Sequence, residues 1–222
     1  MGCPICGRIY CDHTPDERGQ TFEEMMNDCY RSAESGFKEG ESTVILMSQK
    51  ANSLIDKLEK HHKPTYEHSL RASGYVLQLA RQNDYDPLHL CDVKEMAVLH
   101  DIGKLSIKPE VLDKELSASC IKAYQQHGYE LLKKDLPYAA CAAGKHNSKY
   151  AVKAWPAETA EVRPQLKKWI KIVELADFCD ELLEGRVKKY AKLDIQNKTA
   201  VYDVLKKQFL DLTSYIGQLK LE

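Results

Sequence analysis

Apolar residues recur three and four positions apart along most of the chain, which is the spacing of one face of an α-helix. Runs of alternating polar and β-branched residues, which would indicate strands, are few. The pattern predicts an all-α protein with helices over 21–36, 42–60, 65–82, 88–101, 117–134, 137–145, 159–184 and 196–219. Pro64 and Pro87 suit the first turns of two of these helices, and Ser117 is a candidate N-cap for another. The irregular stretch 146–158 is a candidate functional loop.

The size and charge of the chain narrow the classes of function. Its 222 residues are enough for one main domain with a small appendage. The 32 lysines and arginines nearly balance the 33 aspartates and glutamates, so nothing favours bulk binding to nucleic acid or to a membrane surface. The apolar run TVILM at 43–47 is far too short to span a bilayer, and the N-terminus lacks the apolar core of a signal peptide. We therefore expect a soluble cytoplasmic protein.

The stretch AVLHDIGKLSIKPEVL, residues 97–112, places a histidine beside an aspartate at the end of an apolar run. Gly103 is a natural helix stop, so His100 and Asp101 are predicted to lie at a helix end, where neighbouring side chains can converge on one ion. Imidazole nitrogen and carboxylate oxygen suit first-row divalent metals. Lys104 adds a fixed positive charge one turn later, and this combination suits a phosphate.

Further residues of metal-ligand type occur at helical positions. The most informative lies in WIKIVELADF, an otherwise apolar face, where an unpaired carboxylate would cost several kcal/mol. A metal would satisfy it, but so would an ion pair with Lys171 or Lys188. A lone histidine near an apolar helix is likewise often a core residue with hydrogen-bond partners. The residues concerned are His68, His127, His146 and Asp177.

Five segments in this order resemble the HD-domain superfamily of metal-dependent phosphohydrolases, and within it most closely the HD-GYP phosphodiesterases. The segments are HSLRAS, LHDIGKLSIKPEVLDK, QQHGYELL, AAGKHN and IVELADFCDELLEGR. The resemblance implies an HD-domain helical bundle over 61–190. Packing helices over 21–60 would precede this bundle, and a C-terminal helix over 191–222 would follow it.

The resemblance also implies a set of metal ligands. His68, His100, Asp101 and Asp177 would surround one metal ion, and Asp101 would bridge to a second ion held by His127 and His146. Two divalent transition metals, iron or manganese, are expected at such a centre.

The substrate implied by the resemblance is a phosphorylated small molecule, with a nucleotide as the first choice. Asp101 and Lys104 would be the catalytic residues. An ordinary solvated face is the alternative for the lysines near His146. The expected substrate contacts are Lys104, Lys145, Lys149 and Arg186.

The sequence departs from the HD-GYP pattern at several positions. Asn147 and Ser148 follow His146, where HD-GYP proteins have a second histidine and then an acid, and the Gly-Tyr-Pro motif is absent. Pro64 replaces the glutamate of trinuclear members, so two metals are expected. A di-iron oxygenase of the same superfamily, or a catalytically retired HD domain that binds a nucleotide or a protein partner, are the alternative functions.

The first 20 residues contain a second candidate metal site. CPICGRIYCDH can supply four thiolate and imidazole ligands to a tetrahedral structural zinc, a closed site with no open position for catalysis. Few basic residues accompany it, so nucleic-acid binding is not favoured. Asp12 or Cys29 could replace one ligand. The predicted zinc ligands are Cys3, Cys6, Cys11 and His13.

Two further features concern packing. The single cysteines at 29, 91, 120, 141 and 179 lie in helical segments and are expected to be core residues. The C-terminal stretch TAVYDVLKKQFLDLTSYIGQLKL carries an apolar stripe, which would pack either on its own domain or on a second copy of the chain in a homodimer.

Overall fold

The structure is a computed structural model that describes residues 47–82 and 87–221. The predicted zinc knuckle, the helix predicted over 21–36 and Cys29 lie outside the described residues.

All regular structure in the described ranges is helical, which confirms the all-α prediction. The α-helices are α1 (Gln49–His61), α2 (Lys63–Gln82), α3 (Pro87–Val98), α4 (Pro109–Leu112), α5 (Ala118–Leu132), α6 (Pro137–Lys145), α7 (Arg163–Leu183), α8 (Lys198–Gln208) and α9 (Thr213–Ile216). One-turn 3₁₀ helices lie at Ile102–Ser106, Ser148–Tyr150, Ala157–Thr159, Lys188–Tyr190 and Leu210–Leu212. None of the described helices is long and apolar enough to span a membrane.

Local chemistry fixes several helix starts. The hydroxyl of Ser117 accepts a hydrogen bond from the backbone N–H of Cys120, which confirms the predicted N-cap of α5. Between α1 and α2, the ring of His62 plays a similar part, since its Nδ1 lies 3.3 Å from the backbone nitrogen of Thr65. Because α2 begins immediately after this residue, α1 and α2 form a tight helical corner.

The buried apolar residues form two clusters that meet at the end of α3. The first joins α2, α3 and α7 with the C-terminal helices and includes Leu79, Met96, Leu175, Leu205 and Ile216. The second joins α1, the end of α3, α5 and α6 and includes Leu58, Leu99, Ile102, Leu132 and Ala140. Residues 96–99 pass from one cluster to the other, so the residues that follow them lie deep in the molecule.

Helix α5 packs unusually close to the turn after α3. A Cβ atom added to Gly103 would lie 1.9 Å from the carbonyl oxygen of Tyr124 and 2.8 Å from the backbone nitrogen of Gly128. Only glycine leaves room for such a backbone approach. Gly103 therefore fixes the position of α5 beside His100 and Asp101.

The C-terminal segment differs from the single helix predicted over 196–219. The helix stops at Phe209, whose backbone leaves the helical region at φ −126° and ψ 66°. The ring of Phe209 turns into the core, with its centroid 5.6 Å from that of Phe178. The break brings Leu219 and Leu221 back to the same core, so the stripe packs on its own domain. A homodimer stays a prediction.

The single cysteines are only partly core residues. Cys141 and Cys179 are buried, but Cys91 and Cys120 are half-exposed, which corrects the prediction for those two.

Candidate metal centre

Three buried histidines from separate parts of the chain meet at one place. His68 comes from the first turns of α2, His100 from the turn after α3, and His146 from the residue after α6. Each is at most 2 % exposed. The ring centroids of His68 and His100 are 5.2 Å apart, and those of His100 and His146 are 4.9 Å apart. Helices that are distant in sequence thus bring three imidazoles together.

The Nδ1 atom of each histidine is held by an oxygen acceptor outside the cluster. For His100 the acceptor is the carbonyl of Ala97 at 2.6 Å, and for His146 it is the carbonyl of Ala142 at 3.0 Å. His68 donates from Nδ1 to the carboxylate of Asp180 at 2.7 Å. Since these acceptors require the proton on Nδ1, the Nε2 atoms of His100 and His146 carry lone pairs suited to a metal.

Two carboxylates complete the cluster. Asp177 Oδ1 lies 3.0 Å from Nε2 of His68 and 3.8 Å from Nε2 of His100. Asp101 Oδ2 lies 3.5 Å from Nε2 of His100, and its other oxygen, Oδ1, lies 3.8 Å from Nε2 of His146. The two oxygens of Asp101 thus face different histidines.

The residues present fit a divalent metal. Nε2 of His100 is fully buried and has no hydrogen-bond partner among the described residues, an arrangement that is costly for a polar atom. It faces the two carboxylates at distances too long for hydrogen bonds. The groups His68, His100 and Asp101, and His100, His146 and Asp177, each bring their ligand atoms within 4.8 Å of one another. Nitrogen and carboxylate oxygen together are the ligand set of transition metals.

The protonation states also suit a metal. Burial lowers the pKa of His100 to about 4, so its ring is neutral at neutral pH. Burial raises the pKa values of both carboxyl groups, but neighbouring groups outweigh it. Lys104 and the histidines hold the pKa of Asp101 well below its usual range, and a hydrogen bond from His68 helps to lower that of Asp177 to about 2. Both aspartates are therefore carboxylates.

Lys104, predicted as a catalytic and substrate-binding residue, lies at the edge of the cluster. Its ammonium group donates to Oδ2 of Asp101 and lies 5.5 Å from the ring centroid of Tyr124. A positive charge is thus fixed beside the carboxylate that faces all three histidines.

Asp180 contacts the cluster from behind and was not predicted from the sequence. Its buried carboxylate accepts hydrogen bonds from His68, from Nε of Arg71 at 2.7 Å and from Nη2 of Arg186 at 2.9 Å. It therefore orients the imidazole of His68, as carboxylates often do behind metal ligands. The signal available in the sequence was that Asp180 follows Asp177 by three residues on the same helix.

The structure does not bring every predicted residue to the cluster. His127 is on the exposed side of α5 and belongs to neither ligand group of the described residues. Lys145 is buried, donates to the carbonyl of Val152 and lies 4.5 Å from the ring centroid of Trp155. It thus anchors the 146–158 loop. Lys149 is exposed on that loop.

A cleft of about 240 Å³ opens beside the cluster. Its basic side chains are Lys104 and Arg186, so Arg186 lines the cleft while it also contacts Asp180. The remaining lining residues are His62, Pro64, Thr65, His68, Leu112, Asp113 and Leu116. The cleft therefore combines positive charge with an apolar wall.

Comparisons with known proteins agree with this architecture. No curated protein matches the chain significantly. The crystal structure of the HD domain of the phosphodiesterase PgpH from L. monocytogenes, in complex with cyclic-di-AMP, aligns with a TM-score of 0.51 and 20% identity, over 74% of this chain and 91% of that one. A second crystal structure of the same HD domain aligns with a TM-score of 0.48 and 20% identity, over 76% of this chain and 89% of that one.

The comparison with family models gives a more specific match than these structural alignments. The family model of the HD domain matches residues 65–182, which is more than half of the chain and contains all five clustered residues. The closer resemblance to the HD-GYP phosphodiesterases stays a prediction. The chain belongs to the HD domain family of metal-dependent phosphohydrolases.

Proposed function

We propose that the chain hydrolyses a phosphodiester bond of a nucleotide, or of a related phosphate ester, at a centre of two divalent transition metals. One observation carries the proposal: three imidazoles and two carboxylates from four parts of the chain converge beside a lysine. Phosphodiester hydrolysis needs metal ions beside an anionic phosphate. The imidazoles and carboxylates would bind the metals, and the lysine would bind the phosphate.

Different residues would bind the two metal ions. His68, His100, Asp101 and Asp177 would hold one ion, and Asp101 would share its carboxylate with a second. The two oxygens of Asp101 face different histidines, which supports such a shared role. His146 would hold the second ion, and His127 remains a predicted ligand. Bound divalent metals would supply a nucleophile from water at neutral pH and polarise the phosphoryl group.

The chain's own side chains would bind and orient the substrate. Lys104 would neutralise a phosphoryl oxygen, and Arg186, at the cleft wall, would hold a second phosphate or the far side of the same one. Leu112 and Leu116 offer an apolar surface suited to a nucleobase. The structurally similar HD domain binds cyclic-di-AMP, so this dinucleotide belongs among the first substrates to test.

The test is the hydrolysis of bis(p-nitrophenyl) phosphate and of cyclic-di-AMP by protein loaded with Mn²⁺ or Fe²⁺. We expect turnover by the wild type and a loss of at least about 100-fold in Asp101→Asn, because this change removes the charge of the shared carboxylate. Asp135→Asn is the matched control, since Asp135 is exposed and pairs with Lys50 at 3.0 Å, outside both the cluster and the cleft. Metal-loaded wild type without turnover of any phosphodiester would contradict the proposal.

A further inference from the structure

Tyr124 lies against the metal centre but belongs to none of the five sequence segments. It lies on α5, and its side chain is 6 % exposed. Its ring stacks on the ring of His146, with centroids 6.4 Å apart and planes 24° apart. The same ring faces the ammonium group of Lys104 at 5.5 Å. Tyr124 thus touches a candidate metal ligand and the candidate phosphate-binding lysine.

The side chain of Tyr124 lies in the electrostatic field of the carboxylates of the centre. The carboxylates of Asp101, Asp177 and Glu181 all act on it electrostatically. Burial, followed by these charges, raises the pKa of Tyr124 well above its usual value of about 10. The phenol is therefore an uncharged O–H donor. Among the described residues it has no hydrogen-bond partner.

The position of Tyr124 is set by the packing of α5. The backbone carbonyl of Tyr124 lies against Gly103, in the turn that also carries Asp101 and Lys104. The backbone of α5 already approaches Gly103 so closely that no Cβ atom fits there. An inward shift of α5 would make the two backbones collide, and an outward shift would leave a gap between them. Tyr124 is therefore held at the centre by the fold.

We propose that the Tyr124 hydroxyl donates a hydrogen bond to a phosphoryl oxygen of the ligand at the metal centre, beside the ammonium group of Lys104. This inference rests on the proposed function for the identity of that ligand. The two donors differ in kind, since Lys104 already donates to Asp101, whereas the phenol donates to no partner within 47–82 and 87–221. A directional donor aimed at a charged oxygen in a buried site typically changes a rate by ~100-fold or more.

Tyr124→Phe tests the inference because it removes only the oxygen. The ring stack on His146 and the contact with Lys104 remain. We expect kcat on bis(p-nitrophenyl) phosphate to fall at least about 100-fold, with unchanged metal content. Tyr129→Phe is the matched control, because Tyr129 is a buried tyrosine of the same helix that packs against Gly144, and its kcat should equal that of the wild type.

Binding of inorganic phosphate to the metal-loaded protein separates this inference from the proposed function. We expect Tyr124→Phe to weaken phosphate binding at least about 5-fold relative to both the wild type and Tyr129→Phe. If the wild type binds phosphate in this Tyr124-dependent way but hydrolyses no phosphodiester, the proposed function fails and the inference stands. Equal kcat and equal phosphate binding in Tyr124→Phe overturn the inference. Loss of metal in that variant, or no phosphate binding by the wild type, overturns it as well.

Discussion

At the scale of single residues, the centre depends on which nitrogen of each histidine carries a proton. His100 and His146 point Nδ1 at carbonyl groups and leave Nε2 for a ligand. His68 is different, because it lies between Asp180 and Asp177. Burial lowers its pKa, but the hydrogen bonds to these two carboxylates outweigh burial and raise the pKa to about 9. Without metal, His68 is therefore an imidazolium at neutral pH.

The protonated state of His68 predicts that metal affinity rises with pH. A metal ion must displace the Nε2 proton, so below about pH 9 the affinity should increase by at least about tenfold per pH unit. His100, with a pKa of about 4, adds no proton in this range. Competition dialysis with Mn²⁺ between about pH 6.5 and 8.5 measures the slope. A flat profile would show that His68 is already neutral or is no ligand.

Asp180 predicts a second effect at this scale. Asp180→Asn leaves the shape of the side chain but removes the charge that orients His68 and pairs with Arg71 and Arg186. We expect metal affinity to fall about 10–100-fold, as is common for residues behind metal ligands. Asp135→Asn, in the exposed ion pair with Lys50, should leave the affinity unchanged. Equal affinities in both variants would mean that Asp180 serves only the fold.

Sequence reasoning identified the clustered residues because their chemistry is visible along the chain. A histidine followed by an aspartate before a glycine, and an aspartate within an apolar helix face, both point to ligands. Asp180 and Tyr124 were missed because their roles arise only when α2 meets α7 and when α5 meets the turn after α3. Lys145 was predicted at the substrate entrance from its place beside His146, yet its stem turns inward to Val152 and Trp155.

At the scale of secondary structure elements, the decisive contact is the close packing of α5 on the turn at Ile102–Ser106. Helix boundaries followed from local rules where a cap or a proline was present, as at Ser117 and Pro137. The break at Phe209 followed no such rule, because no glycine or proline lies there. It accompanies the packing of the Phe209 ring against Phe178 in the core. Tertiary packing also set the close approach at Gly103.

Gly103→Ala tests the role of that contact. Because its Cβ atom would collide with the backbone of α5, we expect a loss of at least about 2 kcal/mol in the free energy of unfolding, together with lower activity. Gly74→Ala is the control, since a Cβ atom at this exposed position of α2 meets nothing within 4 Å. It should stabilise the protein by about 0.5–1 kcal/mol. Urea denaturation measures the free energy of unfolding of both variants. An equal change in Gly103→Ala and Gly74→Ala would show that α5 can shift without a free-energy cost.

At the scale of the whole molecule, the candidate metal centre joins segments that are more than 100 residues apart in sequence. His68, Asp101, His146 and Asp177 come from four separate elements, and residues 96–99, just before His100, pass from one apolar cluster to the other. The chain is nearly neutral overall, so the positive charge at the cleft is local. A bound metal would link α2, the turn after α3, α6 and α7 directly. Metal binding and folding should therefore be coupled.

The most direct test is the metal content of anaerobically purified full-length protein, measured together with phosphodiester hydrolysis. For the wild type we predict about three metals per chain, of which two belong to the HD centre and one to the predicted zinc knuckle. The variant His100→Ala/Asp101→Ala should keep about one metal and lose its activity, while its helical content stays native. Equal metal content in the two proteins, or activity that persists in the variant, would contradict a catalytic metal centre at these residues.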